Sequence, residues 1–223
     1  MSIAQNLELI RQKIPVNVKL VCVSKFHSEE TIMEAYQAGE RIFGESKVQE
    51  LADKYNHLPK DIQWHFIGHL QTNKVKYLVP FVELIHGVDS LKLLKEINKQ
   101  AAKINRKVDC LLQVHIASEE TKFGFSPDEL TELFASESLS SLEFINIRGL
   151  MGMANFTDNQ DQVRKEFQGL KNLFDTIKAK HAVDQPYFSE MSMGMSDDFL
   201  LAIEAGSTLV RIGSLIFGHR VYN

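Results

Sequence analysis

The chain is poor in the features that mark several protein classes. Cysteine is nearly absent: Cys22 and Cys110 are the only two, and each sits inside an apolar run. A disulfide framework is therefore excluded, and two buried thiols are expected. No Cys/His spacing of the metal-binding kind occurs. No run is apolar enough to span a bilayer, and the start, MSIAQNLELIRQKI, lacks the apolar block of a signal peptide. A cytoplasmic location follows as the expectation. Positive charge is not in excess either. Lys and Arg number 25 against 29 Asp and Glu, a net charge of -4. That balance speaks against nucleic acid or an anionic membrane as partner. Linkers, low-complexity tracts and internal repeats are also missing. What remains is a 223-residue chain that is 44% hydrophobic and 24% charged, long enough for one sizeable core.

Strand and helix signals alternate along it. Residues 4–13 predict a leading helix ended by Pro15. Residues 18–24 (VKLVCVS) predict a strand with Val21, Val23 and Lys25 on one face and Leu20 and Cys22 on the other. Ser28 caps a helix that Gly39 closes, residues 41–44 form a short strand, and 45–55 a helix. Residues 62–67 (IQWHFI) predict a third strand and 72–78 a helix. Strand signal returns at 83–86, followed by a helix capped by Ser90, and again at 108–116. Ser126-Pro127-Asp128-Glu129 is a capping box with proline at the first helical position. Residues 144–150 predict the sixth strand. The stripe of Val163, Phe167, Leu170, Phe174 and Ile177 predicts a long helix from 158 to 180 packed on a sheet. Residues 187–191 predict the seventh strand.

The rest of the chain is organised around residues 191–218, MSMGMSDDFLLAIEAGSTLVRIGSLIFG. Ser196 reads as a helix N-cap, Phe199, Leu200 and Ile203 as the helix's apolar face, and Gly206 as its end. Residues 208–212 read as a strand with Leu209, Arg211 and Gly213 opposite Thr208, Val210 and Ile212. About eight strand–helix pairs and no Gly-x-Gly-x-x-Gly after the first strand predict a (β/α)8 TIM barrel with an extra N-terminal helix, one domain over 1–223.

Chemistry in such a barrel gathers at the carboxyl ends of the strands. That places Lys25, Glu45, Ser46, His69, Gln71, His115, Met151, Ser192 and Arg211 near one mouth. Lys25 at a strand end reads either as a snorkelling lysine or as a partly desolvated, reactive amine. An arginine inside an apolar strand is costly without a partner. The two glycine turns, at Gly194 and Gly213, serve as tight turns or as a phosphate cradle. Lysine, arginine and cradle suit either pyridoxal 5′-phosphate (PLP) or a sugar-phosphate aldolase or isomerase.

Three sets of residues carry a resemblance. The first is VSK ending at Lys25. The second is WHFIGHLQTNK at 64–74. The third is SMGMSDDFLLAIEAGSTLVRIGSLIFGHR at 192–220, with Gly44-Glu45, QV, ETKFG at 120–124 and RGLMGM at 148–153 in order between them. Over nearly its whole length the chain resembles the PLP homeostasis protein family, single-domain relatives of the alanine racemase barrel with the type III PLP fold. The resemblance implies that Lys25 forms the internal aldimine with PLP and that Arg211 faces the pyridine nitrogen. It further implies that Ser192 and Met193 in one turn, and Ile212 and Gly213 in the other, help hold the phosphate, largely through backbone N–H groups. Ser46 and His115 depart from it, standing where asparagine is expected.

The function implied is reversible binding, buffering and delivery of PLP to apo-enzymes, with no catalytic residue. The alternative is a PLP-dependent amino-acid racemase of narrow specificity. Two-base racemisation needs a second acid/base facing Lys25, which in the racemases comes from a second domain. The chain ends at Asn223, shortly after the barrel, so the expectation is a binding protein and a monomer.

Overall fold

The computed structural model describes residues 1–117 and 123–218. Eight parallel strands close a barrel in sequence order, β1 to β8, with β1 pairing back onto β8. The strands are β1 (Lys19–Val23), β2 (Ile42–Glu45), β3 (Gln63–Phe66), β4 (Leu84–Val88), β5 (Val108–Val114), β6 (Ile145–Gly152), β7 (Glu190–Ser192) and β8 (Leu209–Ile212). The helices are α1 (Ile3–Arg11), α2 (Glu29–Gln37), α3 (Val48–His57), α4 (Val75–Leu78), α5 (Leu91–Lys103), α6 (Pro127–Ala135), α7 (Gln160–His181), α8 (Phe199–Glu204) and α9 (Ser214–Phe217). The expected (β/α)8 TIM barrel and its leading helix are both present.

Barrel strands are buried on both faces, so their sequences are nearly continuous in apolar residues. Alternation then sorts the two faces. Val21, Leu84, Leu111, Met151 and Leu209 form a layer inside the barrel. Leu20, Cys22, Phe43, Trp64, Phe66, Cys110, Leu112, Val210 and Ile212 join the larger core between barrel and helices. Both cysteines are free and buried, as their apolar settings led us to expect. The α7 stripe is fully in that outer core, and the Ser126 capping box is formed.

Four local readings need correction. Glu45 closes β2 and does not open α3, because its carboxylate is drawn into a buried ion pair. Met151 lies on β6, inside the barrel. Ser196 is not the cap of α8. The cap position is Asp198, whose carboxylate turns back to accept from the Met195 N–H at 2.6 Å. Finally, Phe199 and Ala202 bury the face of α8, whereas Leu200 is exposed.

Among the described residues, no helix is long and apolar enough to cross a membrane.

Candidate functional site

The carboxyl-terminal mouth is built around β1 and β8, which are hydrogen-bonded neighbours. Arg211 pairs in register with Val21. Lys25 lies two residues past the end of β1, in the turn that follows the strand paired with β8. Lys25 is half-buried in the turn just past β1.

That turn is clamped from below. The Ser24 N–H donates to the Gly44 carbonyl at 3.0 Å, and the His27 N–H to the Ser24 carbonyl at 3.1 Å. Buried Lys54 on α3 donates to the Ser24 carbonyl at 3.0 Å, to Glu45 Oε1 at 2.8 Å and to Glu50 Oε1 at 2.7 Å. The Ser24 hydroxyl donates to Glu45 at 2.6 Å. Glu50 also accepts from the Phe26 N–H at 2.7 Å. This last contact matters because Phe26 adopts a left-handed conformation, φ 68°. A large side chain there costs about 1–2 kcal/mol. The Lys54 cluster offsets that cost and so fixes the direction in which Lys25 leaves the strand. Burial pushes the Glu45 carboxyl above its ordinary range against the pull of Lys54, and its Oε2 has no hydrogen-bond partner among the described residues.

Arg211 is 4% exposed. Its Nη1 donates to the Ser192 hydroxyl at 2.5 Å and the Ser192 carbonyl at 2.9 Å, and its Nη2 to the Gly152 carbonyl at 3.2 Å. All three acceptors are neutral. Of the five N–H donors of a guanidinium, two have no partner among the described residues. Burial lowers its pKa to about 10, with Asp198 pulling the other way, so the group stays cationic at neutral pH.

The two turns meet through Ser196. Its hydroxyl accepts from the Gly213 N–H at 3.4 Å. The first turn requires glycine: Gly194 has φ 93°, and a Cβ there would lie 2.5 Å from the Ala202 side chain. At Gly213 a Cβ would press on the Val23 carbonyl at 3.2 Å. The Arg211 N–H donates to the Gly194 carbonyl at 2.9 Å, tying the first turn to β8.

Not every residue expected at the mouth points there. The Ser192 hydroxyl faces the barrel interior. The Met193 N–H is committed to the Leu209 carbonyl at 3.2 Å, and its side chain is buried outside the barrel. Ile212 likewise points outward, leaving only its backbone on the turn. Glu45 faces α3. His69 pairs with Asp89 at 2.9 Å and stacks on Phe123 at 4.1 Å. The His115 N–H donates to the Phe125 carbonyl at 2.9 Å. Ser46 is half-buried and Gln71 exposed. Glu120, Thr121 and Lys122 of the ETKFG run, and His219 and Arg220, lie outside the described residues. Among the described residues, no group of three or more His, Cys, Asp or Glu could hold a metal ion.

Sequence reasoning missed a buried polar line behind Arg211. His86 Nδ1 lies 2.9 Å from the Ser192 hydroxyl, and His86 Nε2 lies 2.9 Å from His65 Nδ1. A histidine in each of two apolar strand sequences, IQWHFI and ELIHGV, was the available signal. Burial drives both imidazoles towards the neutral form, aided by Lys19 at His65 and by His65 and Arg211 at His86. His65 falls from 6.5 to about 3. The unfolded chain therefore binds protons in the ordinary histidine range that the folded barrel refuses. Stability should drop as pH falls below that range, by up to about tenfold in the folding equilibrium per pH unit for each histidine. Urea denaturation at a series of pH values measures this, and a flat profile down to the carboxylate range would mean that the imidazoles charge inside the barrel.

The comparisons agree with this architecture. The family profile described as alanine racemase, N-terminal domain, matches residues 1–221. A pyridoxal phosphate homeostasis protein of Aquifex aeolicus is 45% identical over 205 residues, 92% of this chain and 88% of that protein. PipY of Synechococcus elongatus, solved without PLP, superposes with a TM-score of 0.91 at 35% identity, covering 97% of this chain and 100% of PipY. The same protein with PLP bound gives 0.87 at 34% identity, with the same coverage. Alanine racemase of Clostridium difficile, at 16% identity and a TM-score of 0.75, shares the fold over 57% of its own length. This chain belongs to the alanine racemase N-terminal-domain family, among its pyridoxal phosphate homeostasis proteins.

Proposed function

We propose that this protein binds PLP reversibly through the amine of Lys25 and serves intracellular PLP homeostasis, as a single cofactor-binding domain over residues 1–223. The observation that carries the reading is Arg211. It is a buried cation, bonded only to neutral acceptors and with donors to spare, on the strand beside the one that leads to Lys25. The ring nitrogen of PLP is an acceptor that such a donor suits. The relatives' names and the PLP bound to PipY support the same ligand. Ser196 and the Gly213 turn, joined at 3.4 Å, are the groups we assign to the phosphate, with the Ile212–Gly213 backbone. Ser192 is assigned to Arg211, and Met193 to shaping the turn.

When bound, PLP supplies an aldehyde for amines and a ring that withdraws electrons. Arg211 disfavours a proton on the ring nitrogen, because a cation already stands there. The withdrawing power is thereby reduced, which suits holding the cofactor better than stabilising a carbanion. The placement of the tyrosines points the same way. Tyr36 binds Asp61 at 2.8 Å, Tyr55 stacks on Phe81 at 4.0 Å, and Tyr77 is exposed on α4. Tyr187 precedes β7, at the amino-terminal end of the barrel. None of these four is placed as a second base opposite Lys25.

The test is transfer. PLP-loaded protein mixed with an apo PLP-dependent enzyme should restore its activity. A rate above spontaneous release into a PLP trap marks delivery, and a rate equal to release marks buffering. Failure of the protein to retain PLP through gel filtration would end the proposal. Lys25-dependent deuterium exchange at Cα of any amino acid would instead favour the racemase reading.

A further inference from the structure

The line of buried groups behind Arg211 has a direction. Ser192 is fully buried, and its hydroxyl has two partners among the described residues, Arg211 and His86. Arginine only donates. The Ser192 O–H must therefore donate to His86 Nδ1, or remain unsatisfied in a dry core. His86 then carries its proton on Nε2 and donates to His65 Nδ1 at 2.9 Å. His65 carries its own proton on Nε2. It lines a cavity of about 200 Å³ at the amino-terminal mouth, shared with Asp109 and Glu190. Those carboxylates accept from Asn146 at 2.8 Å and Lys19 at 2.5 Å. Every donor in the line thus points away from Arg211, towards the cavity at the other mouth, where Lys19 and Arg148 pair with those carboxylates.

We infer that His86, backed by His65, is a positioning residue for Arg211, acting through the Ser192 hydroxyl. Nη1 is held by both oxygens of Ser192, and the orientation of that hydroxyl depends on having His86 Nδ1 as its acceptor. Removing the acceptor frees the hydroxyl to rotate and the guanidinium to swing with it. The link to cofactor rests on the reading of Arg211 given above, but the link to Arg211 itself does not.

Two substitutions separate positioning from packing. His86→Leu removes the acceptor. His86→Asn places an amide oxygen near the former Nδ1, keeping the acceptor and losing only the bond to His65. PLP should bind His86→Leu roughly tenfold more weakly, the scale of one buried hydrogen-bonding group left unmade, and the pH at which its visible band titrates should shift. His86→Asn should recover most of both effects. In cofactor-free protein, ring nitrogen NMR should find His65 and His86 neutral with the proton on Nε2. The Arg211 guanidinium signals should be sharp in the native protein and in His86→Asn, and broadened in His86→Leu. A proton on His86 Nδ1 would overturn the inference. So would sharp Arg211 signals with unchanged PLP affinity in His86→Leu. If His86→Leu does not fold, the native tautomers and the affinity of His86→Asn decide: a proton on Nε2 with near-native affinity supports the inference, and either result reversed overturns it. Loss of PLP binding in the native protein, with the tautomers as stated, would fail the proposed function and leave the positioning of Arg211 standing.

Discussion

Lys25→Ala protein freed of excess PLP by gel filtration will emerge colourless and take up no label on borohydride reduction, whereas native protein will emerge yellow and carry one label on the peptide containing Lys25. The expected loss is complete, because none of the other groups assigned to the mouth is a primary amine that could form a reducible imine with an aldehyde. Folding should survive. Lys25 lies past the end of β1 and is only half-buried, so the substitution removes a charged side chain and no core volume. In the absence of cofactor its unfolding free energy should match the native value within the small range of surface substitutions, about 0.5 kcal/mol. A label that moves to another lysine in Lys25→Ala would show that position, and not identity, selects the amine. A native protein that takes no label would return the sugar-phosphate alternative to the front.

Lys54→Met should produce the largest loss of stability. Its side chain is 6% exposed and that of Glu45 is 0%. Removing one partner of a buried pair leaves a stranded charge, at a cost of about 3–5 kcal/mol. For a chain of this size that lowers the melting temperature by roughly 10 °C. The pH dependence has a definite sign. The Glu45 carboxyl already titrates above its ordinary range in the folded state, and loss of Lys54 raises it further. A raised carboxyl contributes its stability below the unfolded value and loses it as pH rises through the folded value. The defect of Lys54→Met should therefore be severe at neutral pH and shrink towards the carboxylate range. Glu45→Gln in the same chain should restore part of the loss, which a double-mutant cycle measures. A defect independent of pH would mean that Lys54 contributes packing alone. PLP affinity should fall with Lys54 as well, since the turn carrying Lys25 loses its clamp.

What could be read in the sequence was whatever repeats at short range. The barrel came from alternation of strand and helix signals, and the shared inward face of Val21, Leu209 and Arg211 from a period of two. The Ser126 box was legible because its two partners are three residues apart. The failures are long-range. Ser196 heads a sequence that reads as a helix start, but its hydroxyl is claimed by Gly213, 17 residues away. Glu45 was assigned to a helix because Lys54 reaches it only once α3 folds back on β2. Ser192, which the resemblance gives to the phosphate, also has a side-chain partner that no local pattern shows, a histidine 106 residues distant. The departures at Ser46 and His115 lie at the mouth, and neither touches the Arg211 line among the contacts described.

Arg211 also bears on how firmly the fold holds. A cation held among neutral dipoles in a low-dielectric interior makes the cofactor-free fold less secure than its hydrophobic core alone would provide. A ligand that engages the remaining donors stabilises the native state by mass action, about 3 kcal/mol at a hundredfold excess over Kd. The melting temperature should therefore rise with free PLP, which makes thermal unfolding a direct readout of site occupancy.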